Sequence, residues 1–333
     1  MSSSTPFISI VVPIRNEEAT IVRLTRSLLD QDYPHDRYEI LMADGGSTDR
    51  TRELLAAADV EGRVRVLDNP GRTAPAALNV AIAEARGDIV TRVDGHSYVA
   101  PDYLSRIVAV MQETGESVVG GPVLMLADTP FRKALVEALY SKVGVGAVPY
   151  RTLQRRAYVE SLQTGSFKRA VLDQVGLFDE ALAVVEDLDM NTRIRKAGYK
   201  LLLDPSIRFW YLPRPTLRAL WRQIFTVGLV KVRILRKHPD IFKWKYVLPS
   251  ALVAALAGAL ALAAWGVTAG LAFVAAYVVV IVGFALSRVP RLGTGAVRLL
   301  AILPTLHVGY GFGFFAGVSE IVLGRTSVPP GAP

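Results

Sequence analysis

Apolar residues along the first 120 positions alternate between two rhythms. Residues 7–13 (FISIVVP) form a short β-branched run, the pattern of a strand buried on both faces. Residues 17–29 then place Ile21, Leu24 and Leu28 on one helical face. Residues 39–43 predict a second strand ending at Asp44-Gly45-Gly46-Ser47, and Thr48-Asp49 is placed to cap a helix through Ala58. Strands over 64–67, 89–93 and 117–120 alternate with helices over 74–85 and 101–113. Further along, 158–162 reads as a strand, and the acidic run from Glu186 opens another helix. Strands and helices joined this way by short connections predict an α/β fold, an open and mostly parallel sheet with helices on both faces.

After Leu212 the pattern changes. Residues 208–245 carry ten Lys or Arg against one acid, Asp240, and 247–286 carry no charge at all. A bilayer span needs about 20 apolar residues. Residues 247–265 and 266–286 each come close, with Gly266 as the turn; forty uncharged residues are too many for a buried hairpin in so small a domain. A third apolar stretch, 299–323, contains Pro304, Glu320 and the glycines 309, 311, 313 and 317, so it either spans or lies in the interface. The expected division is 1–212 as a soluble α/β domain, 213–246 as a basic amphipathic interface segment, and 247–333 as two to three transmembrane helices. Within the middle segment, Leu217, Leu220, Trp221, Ile224 and Phe225 interleave with Arg218, Arg222, Lys231 and Arg233, the pattern of a helix lying on a membrane surface. The collar and a loop bearing Arg288, Arg291 and Arg298 belong inside by the positive-inside bias. That orientation predicts a multi-pass protein of the cell (inner) membrane with its N-terminal domain in the cytoplasm. Residues 1–5 lack a basic n-region, and Pro13 interrupts the run that follows, so no signal-peptide pattern is expected.

Composition narrows the chemistry. The 333 residues include no cysteine and four histidines, which excludes thiolate nucleophiles, disulfide scaffolds and Cys-ligated zinc. Any metal is expected to be a hard cation held by carboxylate and phosphate oxygens. A net charge of +8 and a pI near 9.7 permit nucleic acid as a partner. The basic residues lie beside the apolar spans, however, and attraction to anionic membrane lipids explains them more simply, so no nucleic-acid partner is expected.

In open α/β sheets, ligands bind at the carboxyl ends of the strands. Arg15-Asn16-Glu17, Asp44, and Asp94-Gly95-His96 fall at those ends. No G-x-G-x-x-G follows the first strand and no G-x-x-x-x-G-K-[ST] occurs, which argues against dinucleotide oxidoreductases and P-loop NTPases. Asp44 either caps a turn or accepts from a nucleobase N–H. Asp94 with a second potential ligand two residues on is what a cation bridging a diphosphate requires.

Four segments, VVPIRNEE, ADGGSTDRT, GDIVTRVDGH and VEDLDMNTRIRKAGYK, occur in the order seen in inverting family 2 glycosyltransferases of GT-A fold. The chain resembles that family along almost its whole length, with greatest similarity to membrane-anchored, succinoglycan-type polysaccharide glycosyltransferases. The resemblance implies a GT-A domain that binds a nucleotide-sugar donor, most simply a UDP-sugar, with Mn²⁺ or Mg²⁺. It implies that Pro13, Arg15 and Glu17 line the nucleoside pocket, that Asp44 contacts the base, and that Asp94 begins the metal motif. His96 stands where a second Asp is usual, and either ligates the ion or hydrogen-bonds a phosphate. Asp187, second of the Glu-Asp pair, is implied as the base that deprotonates the acceptor hydroxyl, so that single displacement inverts the anomeric carbon. Glu186 and Asp189 then serve as first-turn acids complementing the helix dipole. Thr164, Gly165 and Ser166 lie where the family has an acceptor-side loop, or form a strand-to-helix turn capped by Ser166. Arg222 and Gln223 replace the Q-x-x-R-W of processive synthases, and contact diphosphate or acceptor, or face lipid. Arg72 approaches the donor or is a solvated loop arginine. The implied acceptor is a lipid-linked saccharide, with polyprenyl phosphate and diacylglycerol as alternatives; Arg132, Lys133 and Arg151 are candidate cations for a phosphate acceptor. A membrane scaffold with a GT-A-like domain is the alternative outside catalysis, and a transporter lacks enough spans.

Overall fold

The computed structural model describes residues 5–144 and 148–324. The expectation about a leader peptide falls on residues 1–4, outside the described residues. The chain divides into two compact units, residues 5–125 with 149–212, and residues 126–144 and 148 with 213–324. One division falls between Leu212 and Pro213, and residues 126–144 and 148 group with the C-terminal part.

The first unit is built from β1 (Ile8–Ile14), α1 (Ile21–Leu29), β2 (Tyr38–Asp44), α2 (Thr51–Ala58), β3 (Val64–Asp68), α3 (Ala74–Glu84), β4 (Ile89–Arg92), β5 (Ser97–Val99), α4 (Tyr103–Thr114), β6 (Val118–Gly120) and β7 (Val123–Met125). α5 (Pro130–Leu139) belongs to the second unit, and the first resumes with α6 (Pro149–Thr152), β8 (Ala157–Val159), β9 (Ser166–Lys168), α7 (Arg169–Val175), α8 (Glu186–Lys196), β10 (Leu201–Leu203) and β11 (Phe209–Tyr211). Eight strands form one sheet in the order β3-β2-β1-β4-β9-β6-β10-β8, and β5-β11-β7 form a small second sheet. β1 to β4 are parallel, whereas β9 runs antiparallel to both β4 and β6, and β8 antiparallel to β10. The sheet is thus mixed, mostly parallel, with its antiparallel members confined to three-residue strands.

β1 explains why both faces are covered. All seven of its residues are buried, and they alternate between two cores. Ile8, Ile10, Val12 and Ile14 pack with Ile21, Leu24 and Leu28 of α1 and Leu104 and Ile107 of α4. Val11 faces Leu78, Ala81 and Ile82 of α3, with Val171 of α7 and Ile194 of α8. Each such side chain contributes about 1.5–3 kcal/mol on full burial. α1 starts at Ile21, later than the apolar pattern suggests. Asn16 takes a positive φ of 54°, and Thr20 Oγ1 closes the intervening turn on Glu17. α2 starts at Thr51, whose N–H donates to the Asp49 carboxylate at 3.0 Å just ahead of the helix.

The second unit contains α5, α9 (Leu217–Lys237), α10 (Leu248–Ala264), α11 (Thr268–Ser287), α12 (Val289–Leu292) and α13 (Leu299–Val322). Gly266, at φ 81°, provides the expected turn between α10 and α11. Two helical stretches, Thr268–Ser287 and Val289–Val322, are long and apolar enough to cross a membrane, and α10 is a shorter apolar helix. α9 differs from the expected free surface helix because its apolar face packs lengthwise and parallel along α13. Gly313 permits the approach: a Cβ there would lie 1.9 Å from Phe225 O. The ion pair Arg233–Glu320 (2.6 Å, largely buried) closes the far end of the same contact, which accounts for an acid in that apolar stretch. The amphipathic pattern is real, and α13 covers part of that face, while Leu217 and Trp221 stay exposed.

Candidate active site

The carboxyl ends of β1 to β4 bring several of the expected residues together. Asp44 ends β2 and is buried. Its carboxylate accepts from Ser47 Oγ (2.6 Å) and Ser47 N (3.1 Å), and from Arg52, which also pairs with Asp68 at the end of β3. The ADGGSTDR segment therefore fixes Asp44 by its own hydroxyl and guanidinium. Arg15 lies against Gly45 and donates from Nη1 to Arg72 O at 3.2 Å. Arg72, like Asn16, holds a positive φ of 54°, a conformation uncommon outside glycine and concentrated at functional sites. Arg15, Asp44 and Arg72 thus share one end of the sheet.

Pro13 and Glu17 lie on the other side of β1. A Cβ at Gly95 would meet Pro13 O at 2.9 Å and Glu17 Cγ at 3.1 Å, so glycine is needed for this approach. Glu17 Oε2 accepts from Thr20 Oγ1 at 2.8 Å, and Glu17 Oε1 lies 3.2 Å from His96 Nδ1. The His96 ring is further held edge-on to Tyr211 of β11, with centroids 4.8 Å apart. Glu17 therefore partners His96 here.

Asp94, just past β4, is 6% exposed and belongs to a buried ionic cluster. Arg92 donates from Nε and Nη2 to Asp94 Oδ1, both at 2.9 Å, and from Nη2 to Glu186 Oε1 at 2.6 Å. Burial opposes ionisation of Asp94, but the Arg92 charge and hydrogen bonds from Arg92 and Gln163 outweigh it and hold the carboxyl below its usual range. Glu186 is different. Burial, assisted by the neighbouring charges of Asp187 and Asp94, outweighs the attraction of Arg92 and pushes it up to about 7. One guanidinium cannot compensate three carboxylates, and Glu186 carries the excess.

A pH effect follows with a definite sign. The folded-state value of Glu186 lies above the ordinary 4.5, so its contribution to stability is full below about pH 4.5 and is lost as pH rises through about 7. Glu186→Gln keeps an acceptor for Arg92 without a titrating group. In thermal unfolding between pH 4.5 and 8, its stability relative to wild type should grow with pH; a constant difference would refute the assignment.

Asp187 is the next residue of α8, half-buried, with Oδ1 accepting from Leu188 N at 2.8 Å. Its charge acts on both Arg92 and Glu186, which places it beside the same cluster. Asp189 is buried completely and orients Arg193 (2.8 Å), whose Nη atoms donate to the carbonyls of Val175, Gly176 and Leu177. It anchors α8 to the end of α7. Asn191 Nδ2 donates to Leu162 O at 2.7 Å, holding α8 to the segment preceding Thr164.

Ser166 is the first residue of β9, and its Oγ bonds Thr91 Oγ1 at 2.8 Å in the core, so it does not cap a helix. Gly165 O accepts from Arg92 N at 3.1 Å, and the buried Thr164 Oγ1 has no partner among the described residues. The turn 163–165 therefore packs against the ionic cluster through Gln163 and Gly165. Arg222, exposed, and Gln223, half-buried, lie on α9 in the other unit. Of the candidate phosphate-binding cations, Arg132 is engaged with Pro213 O and Asp128 in the second unit.

Two residues of the cluster escaped the sequence reading. Gln163 was noticed only as part of a loop, and Arg92 not at all, although an arginine inside a buried β-branched strand must have a charged partner. Its position two before Asp94 puts both side chains on one face of the strand.

A row of polar groups thus stands at the strand ends, joined through Arg92 to the acid-bearing helix α8. The family model for glycosyl transferase family 2 matches residues 9–175. The succinoglycan biosynthesis protein ExoA of Rhizobium meliloti (strain 1021) is 33% identical over 254 residues, 75% of this chain and 77% of that protein. The dolichyl N-acetyl-alpha-D-glucosaminyl phosphate 3-beta-D-2,3-diacetamido-2,3-dideoxy-beta-D-glucuronosyltransferase of Methanococcus voltae is 26% identical over 250 residues, covering 72% and 77%. Among solved structures, the mannosyltransferase PcManGT from Pyrobaculum calidifontis, in complex with GDP-Man and Mn²⁺, superposes with a TM-score of 0.61 at 21% identity, covering 91% of this chain and 88% of that one. The chain belongs to glycosyl transferase family 2. It has the GT-A fold and is a glycosyltransferase.

Proposed function

We propose that this chain is an inverting, metal-dependent hexosyltransferase. It moves a sugar from a nucleotide donor, first of all a UDP-sugar, to a lipid-linked saccharide at the cytoplasmic face of the cell membrane. The observation that carries the reading is the ionic cluster in which Arg92 joins Asp94 to Glu186, next to Asp187. It supports a donor carboxylate and an acceptor base working at one place. The apolar helices α10, α11 and α13, with the basic collar before them, support an acceptor held at a membrane, and the names of the relatives agree with polysaccharide or glycolipid synthesis.

In this reading Asp44 fixes the base while Pro13, Arg15 and Arg72 line the nucleoside side. Asp187 accepts the proton of the attacking hydroxyl opposite the leaving nucleotide, and no enzyme nucleophile intervenes, so an α-linked donor yields a β-linked product. Thr164 and Gly165 are proposed on the acceptor side.

Among the described residues no three His, Asp or Glu side chains stand together as a complete metal-ligand set. Asp94 and His96, separated by Gly95, fit a partial set of one carboxylate and one imidazole, to which donor diphosphate oxygens add the rest. A bound Mn²⁺ or Mg²⁺ supplies charge stabilisation for the departing diphosphate. The test is a panel of UDP-glucose, UDP-galactose, UDP-N-acetylglucosamine and GDP-mannose, scored by thermal shift with Mn²⁺, followed by product mass on membrane lipid extracts. Metal-dependent stabilisation by one donor and a lipid product heavier by one hexose residue are expected. Stabilisation by none, with no product, would reject the reading.

A further inference from the structure

We infer that Arg92 is a positioning residue for glycosyl transfer: its buried guanidinium ties the first turn of α8, and with it Asp187, to the donor carboxylate Asp94. The inference rests on the reading above, in which Asp187 takes the acceptor proton. Arg92 is 6% exposed and sits at the end of β4, with its backbone N–H fixed on Gly165 O. One edge of its guanidinium spans two carboxylates belonging to different parts of the site, Asp94 on the sheet and Glu186 on the helix. The Phe178 ring lies 5.9 Å from Arg92 Cζ, and Asn79 of α3 holds the Phe178 backbone through both its N–H and its carbonyl. The guanidinium is thus located from its strand, its edge and one neighbouring ring.

A planar fork of donors sets the distance and angle between two carboxylates, which a lysine ammonium, a point charge, does not. Two other anchors of α8 lie further along it, at Asp189–Arg193 and at Asn191. Glu186 ties its first turn, directly before Asp187. Transfer requires the base, the acceptor oxygen and the anomeric carbon in near-attack geometry, where a misplacement of about 1 Å costs about 10²-fold in rate. Arg92 and Asp187 also interact electrostatically, so the guanidinium and the proposed base belong to one charged cluster.

The test uses the full chain in lipid nanodiscs with the donor from the panel that transfers best, comparing wild type, Arg92→Lys, Arg92→Met and the double variant Arg92→Met/Glu186→Leu. The double variant removes Arg92 together with Glu186, leaving one buried carboxylate of the bridge, Asp94, where the single variant leaves two, and so retains more of its stability. For Arg92→Met, kcat should fall about 10²-fold, well beyond whatever rise in donor KM follows from the lost Arg92–Asp94 pairing. Arg92→Lys should restore part of kcat by returning the charge without the fork. The double variant should recover thermal stability and leave kcat low.

Unchanged kcat in the Arg92 variants, a loss confined to donor KM, or full recovery of kcat in the double variant would each overturn the role of Arg92 alone. A wild-type chain that transfers from no donor removes the functional reading, and this inference with it.

Discussion

Asp187→Asn should lower turnover by about 10²–10⁴-fold while leaving donor binding nearly intact. The substitution keeps the shape of the side chain and its place in the first turn of α8, and removes only its ability to accept a proton. Asp187 is half-buried beside a completely buried neighbour, so the change leaves the core of α8 untouched. Its i+2 neighbour Asp189 gives the internal control. Asp189→Asn should loosen the Arg193 anchor and reduce thermal stability, because it weakens a buried charge pair, with a much smaller effect on kcat in protein that remains folded. Steady-state rates with isothermal donor titrations separate the two. Near-normal turnover in Asp187→Asn would remove this residue from the mechanism.

Asp94→Ala should abolish the metal-dependent part of donor binding. In the wild-type chain the Asp94 carboxylate is held ionised by Arg92 and Gln163 at a strand end, ready to face a cation. Removing it leaves His96 as the single side chain of the proposed pair and leaves Arg92 paired with Glu186 alone. Thermal shifts with UDP in the presence of Mn²⁺ or of a chelator read this directly. A wild-type metal increment that disappears in the variant is the expected outcome, and an unchanged increment would reject the metal role.

The elements that positioned the site were legible where local pattern and tertiary role coincide. β1, β2 and β4 are apolar runs buried on both faces, so their sequence and their place in the sheet give the same signal, while β3 at the sheet edge is partly exposed. Asp44 and Asp94 were found because they interrupt those runs at the carboxyl end. β5 and β7 to β11 have three residues each, too few to carry a period, and the reversal of β9 depends on pairing partners distant in sequence. α5 announces itself by Thr129 capping before Pro130, but its membership in the C-terminal unit depends on partners more than 140 residues away. For α9 the pattern was correct and its reading incomplete, since an amphipathic face suits a neighbouring helix as well as a bilayer. Glu186 was read as a dipole acid because nothing near it in sequence predicts Arg92, 94 positions earlier.

The most direct measurement is a structure of the full chain with UDP and Mn²⁺, or with GDP if the panel selects it. The base should lie at Asp44 with the nucleoside along Arg15 and Arg72, the diphosphate and ion at Asp94 and His96, and Asp187 facing the open side of the phosphate. A nucleotide bound elsewhere, or one whose diphosphate leaves Asp94 paired only with Arg92 and out of reach, would contradict the account.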